Sequence, residues 1–326
     1  MILVTGGAGF IGSNIVADLC AAGRAVAVCD WFGTGDKWRN LARHDVVEFV
    51  APEDLSAWLA ARPPLSAVIH MGAISATTER DADLIVATNI RLPWTLWQWC
   101  AKAEVPLIYA SSAATYGDGS AGFDDATDPQ ALARLRPLNP YGWSKLAFDR
   151  RAVRAVDGGE ARPPQWAGLR FFNVYGPNEY HKGRMQSVIS QNHGRIAAGG
   201  EMRLFRSHHP DYPDGGQLRD FIHVRDCVAV VLWLLDHPRV CGIFNVGTGE
   251  ARSWSDLAHA LFKAADRPPQ IRFIPMPEDL RLRYQYFTEA RMERLRAAGY
   301  QAAFTSLEDG VAAYVRGYLA GDDPYR

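Results

Sequence analysis

The chain has 326 residues and carries 35 basic against 36 acidic side chains, so its formal net charge is −1. Apolar residues make up 48% and charged residues 22%, which is typical of a globular protein with one large or two modest domains. The neutral balance argues against nucleic-acid wrapping and against a polybasic membrane anchor, because both need a basic surface. Five scattered cysteines without a C-x-x-C pair predict reduced thiols in a cytoplasmic protein.

The first half of the chain alternates short apolar strands with longer helical stretches. Strands are predicted at 2–5, 25–29, 67–70, 107–110 and 169–172, and helices at 11–19, 84–100 and 141–153. Proline at position 93 predicts a kink or a restart in the second helix. This alternation is typical of a parallel, doubly wound α/β sheet.

A glycine-rich turn, Val4-Thr5-Gly6-Gly7-Ala8-Gly9-Phe10-Ile11-Gly12, joins the first strand to the first helix. Glycines allow the tight turn and let the backbone approach a pyrophosphate, which then meets the free N–H groups of the helix. Asp30 ends the second strand and is placed to hydrogen-bond an adenosine ribose. The pattern predicts a Rossmann-type dinucleotide site formed by Gly6, Gly9, Phe10, Ile11, Gly12 and Asp30.

The amino-acid composition changes beyond residue 173, and residues 176–220 are rich in Gly, Arg and His. A helix at 224–235 and a strand at 243–246 then resemble the first half again. The longest apolar run, 227–235, has nine residues, whereas a membrane span needs about 20. We therefore predict a dinucleotide-binding domain at 1–173 and 224–250, and a smaller, discontinuous α/β substrate-binding domain at 174–223 and 251–326.

Tyr141 and Lys145 stand four residues apart, on one face of a helix that follows Asn139-Pro140. A nearby ammonium favours the phenolate and makes a tyrosine a better base near neutral pH. Ser112 ends a strand at the sheet edge where α/β proteins bind ligands, and its hydroxyl can orient a reacting oxygen.

These motifs resemble those of the extended short-chain dehydrogenase/reductase family over nearly the whole chain. The resemblance implies that Tyr141 exchanges the substrate proton and that Ser112 polarises the substrate oxygen. Lys145 is implied to bind the nicotinamide ribose and to lower the pKa of Tyr141. Further cofactor contacts are implied at Trp31, Lys37, Met71, Gly72, Ala73, Ser75, Asn89 and Val174.

The cofactor preference rests on opposing signals. Lys37 matches a family lysine that suits a 2′-phosphate and favours NADP, whereas Asp30 favours the unphosphorylated ribose of NAD. A second basic residue expected near Pro52 is missing, and Trp31 stands where the family usually has asparagine. We favour NADP over NAD.

The reaction is indicated by the residues directly after Ser112 and by a later loop. The acidic pair that sugar-nucleotide dehydratases have after the catalytic serine or threonine is missing, which argues against water elimination. The segment from Phe172 to Ser187 resembles the members that invert C6 of the heptose in ADP-heptose, for lipopolysaccharide core biosynthesis. This resemblance implies that Lys182 is a second acid/base, since a sugar that turns over presents its oxygen away from Tyr141.

The resemblance also implies a substrate site with a diphosphate clamp. Arg219 and Arg283 are the expected clamps, because a guanidinium pairs bidentately with phosphate oxygens. The implied substrate contacts are Ser112, Asn173, Arg184, Gln191, Phe205, Arg219, Arg283 and Tyr284. The histidines at 208 and 209 predict a polar surface loop and not a metal site, because the reaction needs no metal.

Two alternatives stay open. One is another nucleotide-sugar epimerase, such as a UDP-sugar 4-epimerase, which would not need Lys182. The other is an NADP-sensing binding protein without turnover, which would typically lose the Tyr141–Lys145 pair. The resemblance further implies a homo-oligomer, with a pentamer as one arrangement.

Overall fold

The computed structural model describes residues 1–61, 63–281 and 284–326. Its centre is a parallel sheet of seven strands. The strands of the described residues are β1 (Ile2–Thr5), β2 (Val26–Cys29), β3 (Glu48–Val50), β4 (Ala67–His70), β5 (Leu107–Ser112), β6 (Trp166–Phe171), β7 (Asn173–Tyr175), β8 (Met202–Phe205), β9 (Leu218–His223), β10 (Gly242–Val246), β11 (Ala251–Ser253) and β12 (Ile271–Ile274). The central sheet has the order β10-β6-β5-β4-β1-β2-β3.

Helices cover this sheet and connect its strands. They are α1 (Phe10–Ala21), α2 (Leu55–Ala60), α3 (Ala82–Val86), α4 (Leu92–Ala103), α5 (Pro129–Arg134), α6 (Pro140–Asp157), α7 (Val188–Ala197), α8 (Val224–Asp236), α9 (Trp254–Ala264), α10 (Glu278–Arg281), α11 (Glu293–Ala297) and α12 (Leu307–Tyr314). Short 3₁₀ turns lie at Asp36–Leu41, Ala113–Tyr116 and Tyr180–Met185. No helix in the described part of the chain combines the length and apolar character needed to cross a membrane.

The central strands are apolar without alternation because helices cover both of their faces. Leu3, Val4, Ile69 and Ile108 are fully buried in the main core. The strand predicted at 67–70 has those bounds in the structure, and Pro93 stands in the first turn of α4, where the helix restarts after a wider turn at Ala87–Arg91. The short edge strand β3 was not predicted, since its three residues show no pattern.

A second, smaller core lies beside the carboxyl ends of the central strands. It contains α7, α9, α12 and two small sheets, in the orders β11-β9-β7 and β12-β8. Because β7 follows β6 after a single residue, the chain passes directly from the central sheet into this second layer. Most of the predicted site residues line the cleft between the two layers.

One stretch of the predicted substrate domain packs on the main core. Ala290, Met292, Leu295 and Tyr300 belong to the main core, although the prediction assigned 251–326 to the substrate domain. Helix α11 in this stretch packs against β10. Strand β10 lies at the edge of the central sheet, and covering an edge strand protects it from pairing with other chains.

Candidate active site

A cleft of about 1050 Å³ opens at the carboxyl ends of β1, β4, β5 and β6. Parallel sheets bind ligands at this edge, because the connecting loops and helix N-termini converge there. The predicted residues that line it are Gly6, Gly9, Phe10, Ile11, Gly12, Asp30, Trp31, Lys37, Met71, Gly72, Ala73, Ser75, Ser112, Tyr141, Lys145, Asn173, Val174, Lys182, Arg219 and Tyr284.

The glycine-rich turn forms a backbone cradle at the start of α1. Gly6 has φ +66°, and a Cβ atom there would lie 2.5 Å from the backbone nitrogen of Gly72. Gly9 caps α1 without a side-chain hydrogen bond and without acidic residues in the first turn. The cradle therefore leaves free N–H groups and a positive helix end for a pyrophosphate, and it fits a dinucleotide cofactor.

Asp30 and Lys37 form an ion pair in the part of the cleft next to the glycine-rich turn. Lys37 Nζ lies 2.6 Å from Asp30 Oδ1 and donates to the carbonyl oxygen of Trp31 at 2.7 Å. The other oxygen of Asp30 accepts from the backbone N–H of Ala8 at 2.9 Å. The two residues with opposing preferences thus neutralise each other, and Asp30 also holds the glycine-rich turn in place.

Ser112, Tyr141 and Lys145, the predicted catalytic trio, lie where α6 meets β5. The side chain of Asn139 caps α6 by accepting from the N–H of Gly142 at 2.8 Å. A Cβ atom on Gly142 would come within 2.5 Å of the carbonyl oxygen of Ala114, so glycine lets α6 pack closely on the turn after β5. This close packing places the side chain of Tyr141 next to that of Ser112 in the cleft.

Burial shifts the pKa values of Tyr141 and Lys145. It raises the pKa of Tyr141 above its usual value, and the hydrogen bond with Ser112 opposes that shift. Lys145 is 5% exposed, and its ammonium donates to the carbonyl oxygen of Ala110 at 2.8 Å. Desolvation lowers the pKa of Lys145 to about 8, against the opposing charge of Asp149.

The prediction that Lys145 lowers the pKa of Tyr141 stays a prediction. Helical spacing places both residues on one face, and the ammonium of Lys145 donates to the carbonyl oxygen of Ala110. Desolvation of the phenol, which helical spacing does not reveal, affects the pKa of Tyr141 more than the hydrogen bond with Ser112 does.

A buried ion pair stands behind the trio. Asp149 and Arg170 have fully buried side chains, and their charged atoms are 3.0 Å apart. Asp149 also accepts hydrogen bonds from Ser111 Oγ at 2.9 Å and from the hydroxyl of Tyr109 at 3.2 Å. Because Asp149 lies one turn beyond Lys145, the pair anchors α6 to β5 and β6 and places a carboxylate near the lysine.

Lys182 enters the cleft from the opposite wall. It lies on the short turn Tyr180–Met185, and its Nζ stands 5.0 Å from the centre of the Phe10 ring. Burial lowers the pKa of Lys182, and the carboxylate of Glu179 opposes the shift. A lysine in this state exchanges a proton more readily than an exposed one.

Arg219 lies at the far end of the cleft among aromatic rings. Its guanidinium is 5.1 Å from the centre of the Tyr284 ring and 5.9 Å from that of Trp254, and the residue is 8% exposed. Its hydrogen bonds go to the carbonyl oxygens of Leu218 and Gln285. No carboxylate of the described residues pairs with it. Since a buried cation requires a counter-charge, the site suits an anionic ligand.

Several predicted contacts lie away from the cleft. Asn89 is buried behind the cleft. Its side-chain oxygen accepts from the N–H of Ile74, and its amide N–H donates to the carbonyl oxygen of Ile74 and to Ser144 Oγ. Asn89 therefore supports the cleft wall and does not line it. Arg184 and Gln191 are exposed on the outer side, and Gln191 donates to the carbonyl of Arg184. Phe205 packs against the outer side of the Tyr284 ring. Arg283 lies outside the described residues.

Other lining residues were not predicted as contacts. Trp254 and Thr288 reach the cleft from distant parts of the chain, and no local motif marks them. Gln285 also lines the cleft and donates from its amide to the carbonyl oxygen of Gly117. His181 and Ser187 also line the cleft, and their closeness in sequence to the predicted acid/base Lys182 could have identified them.

Among the described residues, no group of three His, Cys, Asp or Glu side chains is arranged to hold a metal ion.

Comparisons with known proteins agree with this geometry. A model of the NAD dependent epimerase/dehydratase family matches residues 2–247. The ADP-L-glycero-D-manno-heptose-6-epimerase of Nitratidesulfovibrio vulgaris (strain DP4) is 53% identical, over 100% of both chains. The crystal structure of the Helicobacter pylori ADP-L-glycero-D-manno-heptose-6-epimerase superposes with a TM-score of 0.79 at 27% identity, covering 97% of this chain and 95% of that one. The UDP-glucose 4-epimerase of Thermus thermophilus, solved with NAD, has a TM-score of 0.73 at 30% identity, over 97% of each chain.

Proposed function

The chain belongs to the NAD-dependent epimerase/dehydratase family, and from this membership we propose that it inverts C6 of the heptose in ADP-D-glycero-β-D-manno-heptose. The product is ADP-L-glycero-β-D-manno-heptose, for lipopolysaccharide core biosynthesis, and the protein is an isomerase. The observation that carries the proposal is the pairing of two acid/base residues, Tyr141 and Lys182, on separate elements of one cleft.

The residues divide the chemistry between the two walls of the cleft. A bound nicotinamide supplies the hydride acceptor and donor. Tyr141 moves the proton of the C6 hydroxyl when the sugar lies in one orientation, and Ser112 aligns that oxygen by hydrogen bonding. Lys182 moves the proton when the sugar has turned over and its oxygen faces the other wall. Two groups are needed because one fixed side chain cannot reach both positions of the oxygen.

We propose NADP as the cofactor. The ion pair of Lys37 with Asp30 supports this, because it removes the negative charge that would repel a 2′-phosphate. Lys37 is then the cation that such a phosphate meets. Family membership supports a nicotinamide cofactor in either form, so the preference for NADP over NAD rests on this pair.

The remaining proposals concern the substrate end and the whole protein. Arg219 is proposed to bind the diphosphate of a nucleotide sugar, with Tyr284 and Asn173 beside it. We propose a cytoplasmic homo-oligomer, with a pentamer as one arrangement, and its five free thiols support a reducing compartment. We also propose that the cofactor domain is 1–173 and 224–250, with the substrate domain at 174–223 and 251–326 and the stretch 290–300 packed onto the former.

A UDP-sugar 4-epimerase is the second candidate, and the similarity to the Thermus thermophilus enzyme favours it. It leaves Lys182 without a role, and the full-length relative at 53% identity is named for the heptose reaction. A binding protein without turnover is disfavoured, because Ser112, Tyr141 and Lys145 are all present and share one cleft.

The test is incubation of the purified protein with ADP-D-glycero-β-D-manno-heptose, with C6 inversion followed by NMR. Parallel incubations with UDP-glucose and UDP-galactose test the second candidate. Inversion of the heptose alone supports the proposal, and epimerisation of the UDP-hexoses alone would overturn it. Adding NADP or NAD to protein stripped of cofactor tests the cofactor preference in the same assay.

A further inference from the structure

Residues 322–326, here called the strap, leave the second core and cross to the cofactor side of the molecule. Arg326 pairs with Asp18 of α1 and donates to Asn14 Oδ1 at 3.2 Å. Arg43 donates to the Asp323 carboxylate at 2.6 Å and to the carbonyl oxygen of Tyr325 at 2.9 Å. The strap is therefore bound to the helix that follows the glycine-rich turn and to the segment that follows Lys37.

The strap also holds the segment that leads to Lys182. The hydroxyl of Tyr180 donates to the carbonyl oxygen of Pro324 at 2.8 Å, and the rings of Tyr180 and Tyr325 meet edge to face at 5.3 Å. The backbone N–H of Arg326 donates to Asn178 Oδ1 at 2.9 Å. These three contacts are made by Asn178 and Tyr180, which lie four and two residues before Lys182.

Asn178 is the point where this support matters most. It is completely buried and has φ +72°, a left-handed conformation that asparagine adopts more readily than other side-chain-bearing residues but still at some cost in free energy. Its amide donates to Ser13 Oγ at 3.0 Å, and its carbonyl accepts from Asn40 at 3.1 Å. Such a conformation persists where the surroundings hold it from several sides, and the strap supplies one of these sides.

Lys182 itself lies on a turn of six residues that is interrupted at Gly183. So short a turn cannot hold a side chain in position by its own hydrogen bonds. None of the residues 322–326 lines the cleft, so the strap can influence the reaction only through the segment that carries Lys182.

We propose that the strap is a positioning element for proton transfer at Lys182, an inference that rests on the proposed acid/base role of that lysine. It holds Asn178, which bonds to Ser13 of α1, and it holds Tyr180 directly, and thereby keeps Lys182 at its distance from the cofactor cradle. A displacement of about 1 Å is enough to slow a positioned group about a hundredfold. Among the described residues, none of the hydrogen bonds, ion pairs and ring contacts of the strap involves α6, the helix that carries Tyr141.

The experiment compares the two C6 epimers in stopped flow, with reduced nicotinamide as the signal. The epimer whose oxidation is abolished by Lys182→Met defines the Lys182 direction, and the other defines the Tyr141 direction. For the triple variant Asp323→Ala, Tyr325→Ala, Arg326→Ala we expect a loss of about tenfold or more in the Lys182 direction. The Tyr141 direction and the KM for either epimer should stay within about twofold.

Milder variants guard against loss of folding. Tyr180→Phe removes only the hydrogen bond to Pro324, so the Lys182 direction should slow in the same sense but less. Arg326→Lys keeps a cation opposite Asp18, so this variant should retain most of the parent protein's rate in the Lys182 direction. The control is Arg203→Ala, which removes an exposed arginine that pairs with Glu201 at 2.9 Å on the far sheet, and it should change neither direction.

An equal fall in both directions, or no change in either, would overturn the strap proposal. If Lys182→Met slows both epimers equally, the proposed role of Lys182 fails instead, and the two failures are thereby distinguished. If the triple variant does not fold, the result for Tyr180→Phe decides: an unchanged Lys182 direction overturns the proposal.

Discussion

The two walls of the cleft hold their acid/base residues by different means. Tyr141 lies in the first turn of an 18-residue helix that is capped by Asn139 and anchored by the buried Asp149–Arg170 pair. Lys182 lies on a short interrupted turn that is held by residues from the strap, α1 and the segment around Asn40. Regular secondary structure makes the first wall rigid by itself, whereas the second depends on contacts between distant parts of the chain.

The largest expected effect is on the rate of epimerisation, and it distinguishes the proton-transfer residue of one wall from that of the other. Tyr141→Phe and Lys182→Met should each reduce epimerisation by about 10²–10⁴, because each removes one proton-transfer group. Each variant should still oxidise one C6 epimer and fail with the other, in opposite senses. Stopped-flow detection of reduced nicotinamide with each pure epimer measures this, and Tyr318→Phe serves as a tyrosine control outside the cleft.

The opposite-sense pattern is the critical part of that result. If both variants lose the same epimer, the two residues act at the same face of the sugar and the two walls do not divide the chemistry. If Lys182→Met keeps full epimerase activity, Tyr141 alone serves both orientations.

The anchoring of α6 gives the largest effect on stability. Asp149→Asn leaves Arg170 as an uncompensated buried cation, and we expect a loss of about 3–5 kcal/mol in the free energy of unfolding. Denaturant unfolding of the variant against the parent protein measures this. The control is Glu160→Gln, which breaks an exposed pair with Arg151 at 3.2 Å, and it should cost less than about 1 kcal/mol. Similar losses in both variants would show that the buried pair is not the anchor.

The pKa of Lys145 gives the rigid wall a distinct pH dependence. With a pKa of about 8, Lys145 is an ammonium below that pH and a neutral amine above it. If the ammonium is the active form, kcat/KM should fall as pH rises through about 8, approaching tenfold per pH unit. In Lys145→Arg this alkaline decline should disappear, because a guanidinium stays charged. An unchanged decline in that variant would assign it to another group.

The smallest expected effect tests the backbone of the second wall. Gly183 has φ +54° with open space around it, so Gly183→Ala should cost about 1–2 kcal/mol in backbone strain without a clash. The control is Gly194→Ala in the exposed part of α7, which should be stabilising by about 0.5–1 kcal/mol because alanine favours the helix. Equal shifts of the two variants in denaturant unfolding would argue that the turn at Gly183 is not constrained.

The same contrast explains how much the sequence could predict. Strand β4, the glycine-rich turn, Asp30 and the Tyr141–Lys145 pair all depend on local patterns, and each lies where the pattern placed it. Asn89 was expected to contact the cofactor, but its amide is consumed by Ile74 and Ser144, which only the tertiary structure brings together. Desolvation of Tyr141 and the positions of Trp254 and Thr288 likewise depend on long-range packing.

The contacts of residues 322–326 also bear on how the protein is made. Arg326 meets Asn14 across 312 positions of the chain, and β10 joins the central sheet beside β6 only after residue 242 has been added. During synthesis, which proceeds from the N-terminus, the strands from β1 to β6 can assemble while most of the second layer is still untranslated. A nascent chain can therefore form much of the cofactor-binding half well before the contacts that hold the Lys182 segment are available.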